Sequence, residues 1–193
     1  MHWEQVETRL AKTPGLRYFK NTVQFDAAVL LLLTREENPK ILLTRRAAHL
    51  KSHAGEVSLP GGKKEHPERS PADTALRETW EEVGIPRESI RLIGDLGVQR
   101  AKSGVRVRPV VGLIDAQPKL IVDSGEVAHA FWVPLQDLIH TPIKPHRVNY
   151  RGMNLDTSAW HLQEEVIWGM TGRILSDFLN RIGVKNRFRL WRC

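Results

Sequence analysis

Along the chain, the spacing of apolar and polar positions gives a short helical pattern first and then turns β-rich. Residues 3–20 predict a short helix and loop, with Trp3, Val6 and Leu10 as a modest apolar edge suited to lidding a core. Two β-rich apolar runs follow, 25–34 (FDAAVLLLLT) and 41–45, separated by the polar turn REENPK in the manner of a hairpin. The first run is almost continuously hydrophobic, which predicts a central strand covered on both faces. Two more strands are expected over 90–97 and 105–113, where Pro109 marks the second as an edge or bulged strand. Residues 126–135 (EVAHAFWVPL) read as a strand leading into a short helix, LQDLI. Residues 141–165 show no clear period and are expected to be irregular, with Tyr150 and Trp160 available for packing. A helix then runs to about Ile182, and Val166, Met170, Ile174 and Phe178, four apart, mark its core face.

The most informative stretch is 59–85, LPGGKKEHPERSPADTALRETWEEVGI. Ser70 is a fitting N-cap, Pro71 suits the first helical position, and Asp73 completes a capping box. Gly84 is placed to end the helix in the left-handed conformation. On a helical wheel Ala72, Leu76, Trp80 and Val83 gather on one side, and Glu78, Glu81 and Glu82 on the other. Like charges at that spacing cost roughly 0.2–0.5 kcal/mol per pair, a sign that a bound divalent cation would reverse. The alternative is a solvated acidic face. Pro60, Gly61 and Gly62 favour the metal reading, because they let the backbone turn sharply and come close to a ligand. Arg77 can pair with one of the carboxylates and fix its rotamer.

These residues resemble the Nudix box, G-x5-E-x7-R-E-U-x-E-E-x-G-U with U a bulky apolar residue, through Gly62, Glu68, Arg77, Glu78, Glu81, Glu82, Gly84 and Ile85. There are two departures: eight residues separate Glu68 from Arg77, and Thr79 stands at the first U position. The preceding segment, LLTRRAAHLKSHAGEVSLPGG at 42–62, is similar to the signature of the coenzyme A pyrophosphatase subfamily, L-L-T-x-R-S-x-x-L-x-x-H-x-G-Q-V-x-F-P-G-G. Ala47, Glu56 and Leu59 replace its Ser, Gln and Phe. That subfamily also carries the longer spacing, with acids at the places of Glu65 and Glu68. Its E-V-A-x-x-F-W-V-P-L element and its final helix are matched at 126–135 and 167–175.

The resemblance implies an α/β fold, an α/β/α sandwich around a mixed β-sheet. The domain is expected at 23–182, after an N-terminal helical extension (1–22) and before a basic C-terminal tail (183–193). It implies hydrolysis of the diphosphate of coenzyme A or its thioesters, giving adenosine 3′,5′-bisphosphate and 4′-phosphopantetheine. Glu78 and Glu82 are the expected ligands of Mg²⁺ or Mn²⁺, and Glu81 completes the metal shell or polarises the attacking water. Arg77 supports this catalytic set. Arg46 and Lys51 can neutralise phosphates, Arg with bidentate geometry, while His53 donates to a phosphate or holds the loop. Gly61 and Gly62 let the backbone approach substrate. Glu56 and Glu126 are further acids that could join the metal or act as base, or serve structure alone.

Composition adds boundaries. At 193 residues, 41% apolar and 26% charged, the chain has the make-up of one ordinary globular domain. No apolar run approaches a membrane span, the N-terminus lacks a signal-peptide pattern, and the single cysteine, Cys193, fits a reducing, cytoplasmic setting. The net charge of +7 points to an anionic partner. A small-molecule substrate accounts for it, and a homodimer is compatible. The alternatives are hydrolysis of another nucleoside diphosphate derivative, such as a dinucleotide or ADP-ribose, and polyanion binding through the tail RIGVKNRFRLWRC.

Overall fold

The computed structural model describes residues 1–12, 24–101, 103–150, 152–185 and 188. The expected residues of the tail from Arg187 onward, Phe188 apart, and the loop at 13–20 lie outside this set. Among the described residues the centre is a mixed sheet of eight strands. Strand β1 (Ala27–Thr34) lies in its middle, paired in parallel along its whole length with β7 (Arg106–Ile114). It also meets β2 (Lys40–Arg46) through the expected hairpin and β4 (Gly61–Lys63) in antiparallel register. Strand β2 pairs with β3 (Val57–Ser58) and with β8 (Val127–Pro134), and β7 with β5 (Arg91–Asp95) and β6 (Gln99–Arg100).

Continuous hydrophobicity in β1 translates into cover on both faces. Ala28, Leu30 and Leu32 meet Ala75, Leu76 and Val83 of helix α2 (Pro71–Val83). Leu31 and Leu33 face the other layer, built from α1 (Trp3–Ala11), α4 (Gly169–Arg181) and apolar residues such as Leu138, Trp160 and Ile167. The sandwich is therefore present, and Trp3, Val6 and Leu10 do close one side of it.

Three expectations change. Residues 144–168 are not irregular: β9 (Lys144–Tyr150), β10 (Met153–Leu162) and β11 (Glu165–Trp168) form a second, antiparallel sheet. Polar residues on both faces of β9 hide its period, and cross-strand pairs such as Arg147–Asp156, 2.7 Å apart, help hold it. Trp160 is its fully buried anchor, donating Nε1–H to the Leu138 carbonyl of α3 (Leu135–His140). Secondly, of the edge or bulge expected at Pro109 only the irregularity is present: β7 is internal, and the register moves by one residue between the Asp95–Val110 and Gln99–Val107 pairs. The Pro109 carbonyl accepts from Leu96 N–H, so its missing N–H faces the break between β5 and β6, where no ladder bond is lost.

The third change concerns α2. Trp80 is 55% exposed while Glu82 is only 2% exposed. The buried stripe is centred on Ala72, Ala75, Thr79 and Val83, with Leu76 beside it. At about 100° per residue, Trp80 and Glu82 fall on opposite flanks of that stripe. Thr79 takes the apolar position of the box by donating its hydroxyl to the Ala75 carbonyl, 2.7 Å away. Both helix ends are as the sequence predicts: Ser70 and Asp73 form the capping box, and Gly84 closes the helix at φ +72°.

Candidate active site

The site is assembled where the glycine turn lies against α2. Strand β4 brings Gly61 opposite Val29 and Gly62 opposite Ala28. The two glycines meet different obstacles. Gly61 has φ +148°, and a Cβ there would stand 2.4 Å from the Ala28 carbonyl oxygen. Gly62 faces the helix, and its Cβ would fall 2.4 Å from the Glu78 carboxylate. Backbone cannot yield as a side-chain end can, so two alanine variants should separate. Gly61→Ala is expected to lose stability, by about 1 kcal/mol or more from the backbone conformation alone. Gly62→Ala should fold but displace Glu78, lowering kcat roughly tenfold or more. Thermal melts beside steady-state kinetics check this, and a Gly62→Ala variant of full activity would refute it.

Glu82 turns inward from α2, and its Oε2 accepts the Gly61 N–H at 3.1 Å. Burial raises its pKa to about 8, and the charges of Glu78 and Glu126 push the same way, while Gly61 and Arg46 only partly oppose them. Burial likewise raises Glu78, with Glu81 and Glu126 adding to it against Arg77. Arg77 is the hub that organises the acids. Its Nε donates to Glu68 Oε1 at 2.8 Å, Nη1 to Glu81 Oε2 at 2.7 Å, and Nη2 to Glu78 Oε1 at 2.9 Å and the Lys63 carbonyl at 3.0 Å. Glu68 accepts from Glu65 N–H and Thr74 Oγ1 through its other oxygen, both at 2.7 Å. Burial opposes its ionisation, but these donors hold its carboxyl below the usual range.

The helical acids thus separate into two inward carboxylates, Glu78 and Glu82, and one outward. Glu81 is 53% exposed and held by Arg77. Two residues complete the group from elsewhere. Arg46 reaches toward Glu82, its Nη1 4.0 Å from Oε1. Glu126, whose carbonyl accepts Ala47 N–H at 2.9 Å, bears electrostatically on both inward acids. Its placement depends on the pairing of β8 with β2, a long-range contact that local spacing does not encode. Lys51 and His53 are exposed on the 47–56 loop. His53, at φ +56°, has Nδ1 3.0 Å from Glu56 Oε2, and this hydrogen bond raises its pKa.

Among the described residues, no three His, Cys, Asp or Glu side chains converge as a ready ligand set. The donor chemistry nonetheless fits a hard divalent cation. Glu78 and Glu82 are two carboxylates whose ionisation burial and mutual repulsion disfavour, side by side at a glycine turn. A cation such as Mg²⁺ takes one or two such carboxylates and fills its other positions with water and phosphate oxygens. A positive ion there would remove the penalty that both acids carry.

Comparison with known proteins gives the family. The NUDIX domain family matches residues 24–153. A curated relative from Pectobacterium atrosepticum, named "Uncharacterized Nudix hydrolase NudL", is 39% identical over 163 residues, 82% of this chain and 83% of its own. A relative of the same name from Yersinia pestis is 34% identical over 171 residues, 86% and 84% of the two chains. Among solved structures, a MutT/nudix family protein from Enterococcus faecalis aligns with TM-score 0.51 at 18% identity, over 94% of this chain and 73% of that one. A Nudix hydrolase from M. smegmatis, RenU, aligns with TM-score 0.50 at 22% identity, over 59% and 73%. These two likenesses concern the fold.

Proposed function

The chain belongs to the Nudix hydrolase family, and from that premise we propose that it is a pyrophosphohydrolase, dependent on Mg²⁺ or Mn²⁺, of coenzyme A or its thioesters. The observation that carries the metal-dependent part is Glu82, a carboxylate 2% exposed beside Glu78, whose ionisation burial opposes. In this reading Glu78 and Glu82 hold the cation, and Gly61 N–H fixes the free rotation of Glu82. When bound, the cation screens the diphosphate and acidifies water, a contribution of several kcal/mol to such reactions. Arg77 sets the rotamers of Glu78 and Glu81 through its two terminal nitrogens. Of the candidate bases we favour Glu126, because Glu81 is already engaged by Arg77; both are exposed.

Support for coenzyme A comes from the signature at 42–62, now seen as the strand and loop next to the site. The 47–56 loop offers Lys51 and His53 in the open, suited to a phosphate removed from the scissile bond. If they receive the 3′-phosphate, its loss forfeits charge-assisted hydrogen bonds worth roughly 1.5–3 kcal/mol. Dephospho-coenzyme A should then be turned over with kcat/KM roughly 10–100-fold lower than coenzyme A. The Lys51→Ala variant should narrow that gap. Equal turnover of both compounds would remove the coenzyme A assignment and leave a hydrolase of other nucleoside diphosphate derivatives.

A further inference from the structure

The pairing of β2 with β8 shifts register between Arg45 and Arg46. The extra residue, Ala128, belongs to β8, so β2 keeps its alternation and its consecutive side chains point to opposite faces of the sheet. Arg45 goes to Glu165 on β11, 2.9 Å away, and Arg46 goes to Glu82 on α2. The backbone at this point is pinned on several sides. Arg46 N–H donates to the Glu56 carbonyl at 3.0 Å, its carbonyl accepts Gly55 N–H at 3.1 Å, and Ala47 N–H donates to Glu126. So firmly held a backbone contrasts with an uncommitted guanidinium. Nη1 stops 4.0 Å from Glu82 Oε1, too far for a hydrogen bond, and Nε is buried with no partner. The charge is close enough to favour an ionised Glu82, while the planar fork of donors that suits phosphate oxygens is not used up by it.

We propose that Arg46 is a cation that changes partner. It lies against the Glu82 carboxyl when no divalent cation does, and it gives its fork to the diphosphate of the substrate once a cation has taken Glu82. The proposal rests on the reading of Glu82 as a metal ligand and is independent of which diphosphate compound is hydrolysed. It carries a signature that a merely structural arginine lacks. Arg46 and the cation repel each other across Glu82, so removing Arg46 strengthens cation binding to the free protein. The same removal weakens binding of the diphosphate. A packing role would weaken both.

The test measures Mn²⁺ binding to the full chain by electron paramagnetic resonance, and binding of methylenediphosphonate to the Mn²⁺-loaded protein by calorimetry. That probe contains no 3′-phosphate. Arg46→Gln is expected to bind Mn²⁺ about three- to tenfold more tightly and methylenediphosphonate at least about tenfold more weakly. Arg46→Lys, which keeps the charge and the fold-supporting stem, should stay near wild type for Mn²⁺ and recover only part of the diphosphonate affinity. Unchanged or weaker Mn²⁺ binding in folded Arg46→Gln, or Mn²⁺ binding raised by Arg46→Lys as well, would overturn the exchange. Unchanged diphosphonate affinity would overturn its second half. If these results hold while coenzyme A and dephospho-coenzyme A are hydrolysed alike, only the substrate assignment fails.

Discussion

Replacing Glu82 with Gln is expected to lower hydrolysis of any diphosphate substrate by roughly a thousandfold or more while the fold stays intact. Gln preserves the volume of a side chain that is only 2% exposed, and its amide oxygen can still accept the Gly61 N–H. What goes is the negative charge. Of the three acids on α2, Glu82 is the most deeply buried, and it shares its site with Glu78, so its loss leaves one inward carboxylate for the cation. Glu81→Gln should be milder, because Glu81 is half-exposed and held by Arg77. Glu126→Gln should fall between or match Glu82→Gln. Product formation followed with Mg²⁺ and Mn²⁺, beside a circular dichroism melt, decides the matter. Undiminished turnover in Glu82→Gln would remove its metal role.

The second large effect needs no substrate. With chelator present, stability should fall as pH rises from about 5 to about 8. The sign follows from proton counting. The folded Glu82 pKa, about 8, lies above the ordinary carboxyl value of 4.5. Below that ordinary value both states are protonated and nothing is lost. Between the two values the unfolded chain releases a proton that the folded chain retains, so raising pH favours unfolding. Above about 8 the full penalty applies, at most about 5 kcal/mol, or on the order of 10 °C in Tm for a chain of this size. His53, raised by Glu56, and Glu78, raised by burial, add losses of the same direction, so the comparison of wild type with Glu82→Gln gives the contribution of Glu82 together with its coupling to Glu78. Calorimetric scans at pH 5, 6.5 and 8 should show a steep decline in wild type, a shallower one in the variant, and recovery of wild type on adding Mg²⁺ or Mn²⁺. A wild-type profile parallel to that of the variant would mean that Glu82 is not desolvated.

Much of this architecture could be read from local patterns, because those patterns are enforced locally. The ends of α2 depend on Ser70, Asp73 and Gly84, each acting within one helical turn. The burial of β1 shows in its own composition. By contrast, the second sheet was hidden, since β9 carries Lys144, His146, Arg147 and Asn149 and is stabilised by partners rather than by an apolar face. Trp80 misled because bulk and apolarity say nothing of which flank of a helix meets the sheet; the small residues Ala75 and Thr79 occupy that contact instead. For the same reason Glu82 could be recognised as chemically significant from its neighbours in sequence, but not as buried. The approach of Glu126 depends on a long-range strand pair, which has no signature in spacing.

Both oxygens of Glu68 are occupied, one by Arg77 and the other by Glu65 N–H and Thr74. The additional residue of this chain lies between that tether and Arg77, and the capped helix begins only at Pro71. A residue added in that short stretch would swell the loop without turning the helix behind it. A pattern search demanding a fixed count across this region would pass over chains whose acidic residues are aligned in space, so distant kin are better sought by anchoring the two halves of the motif separately.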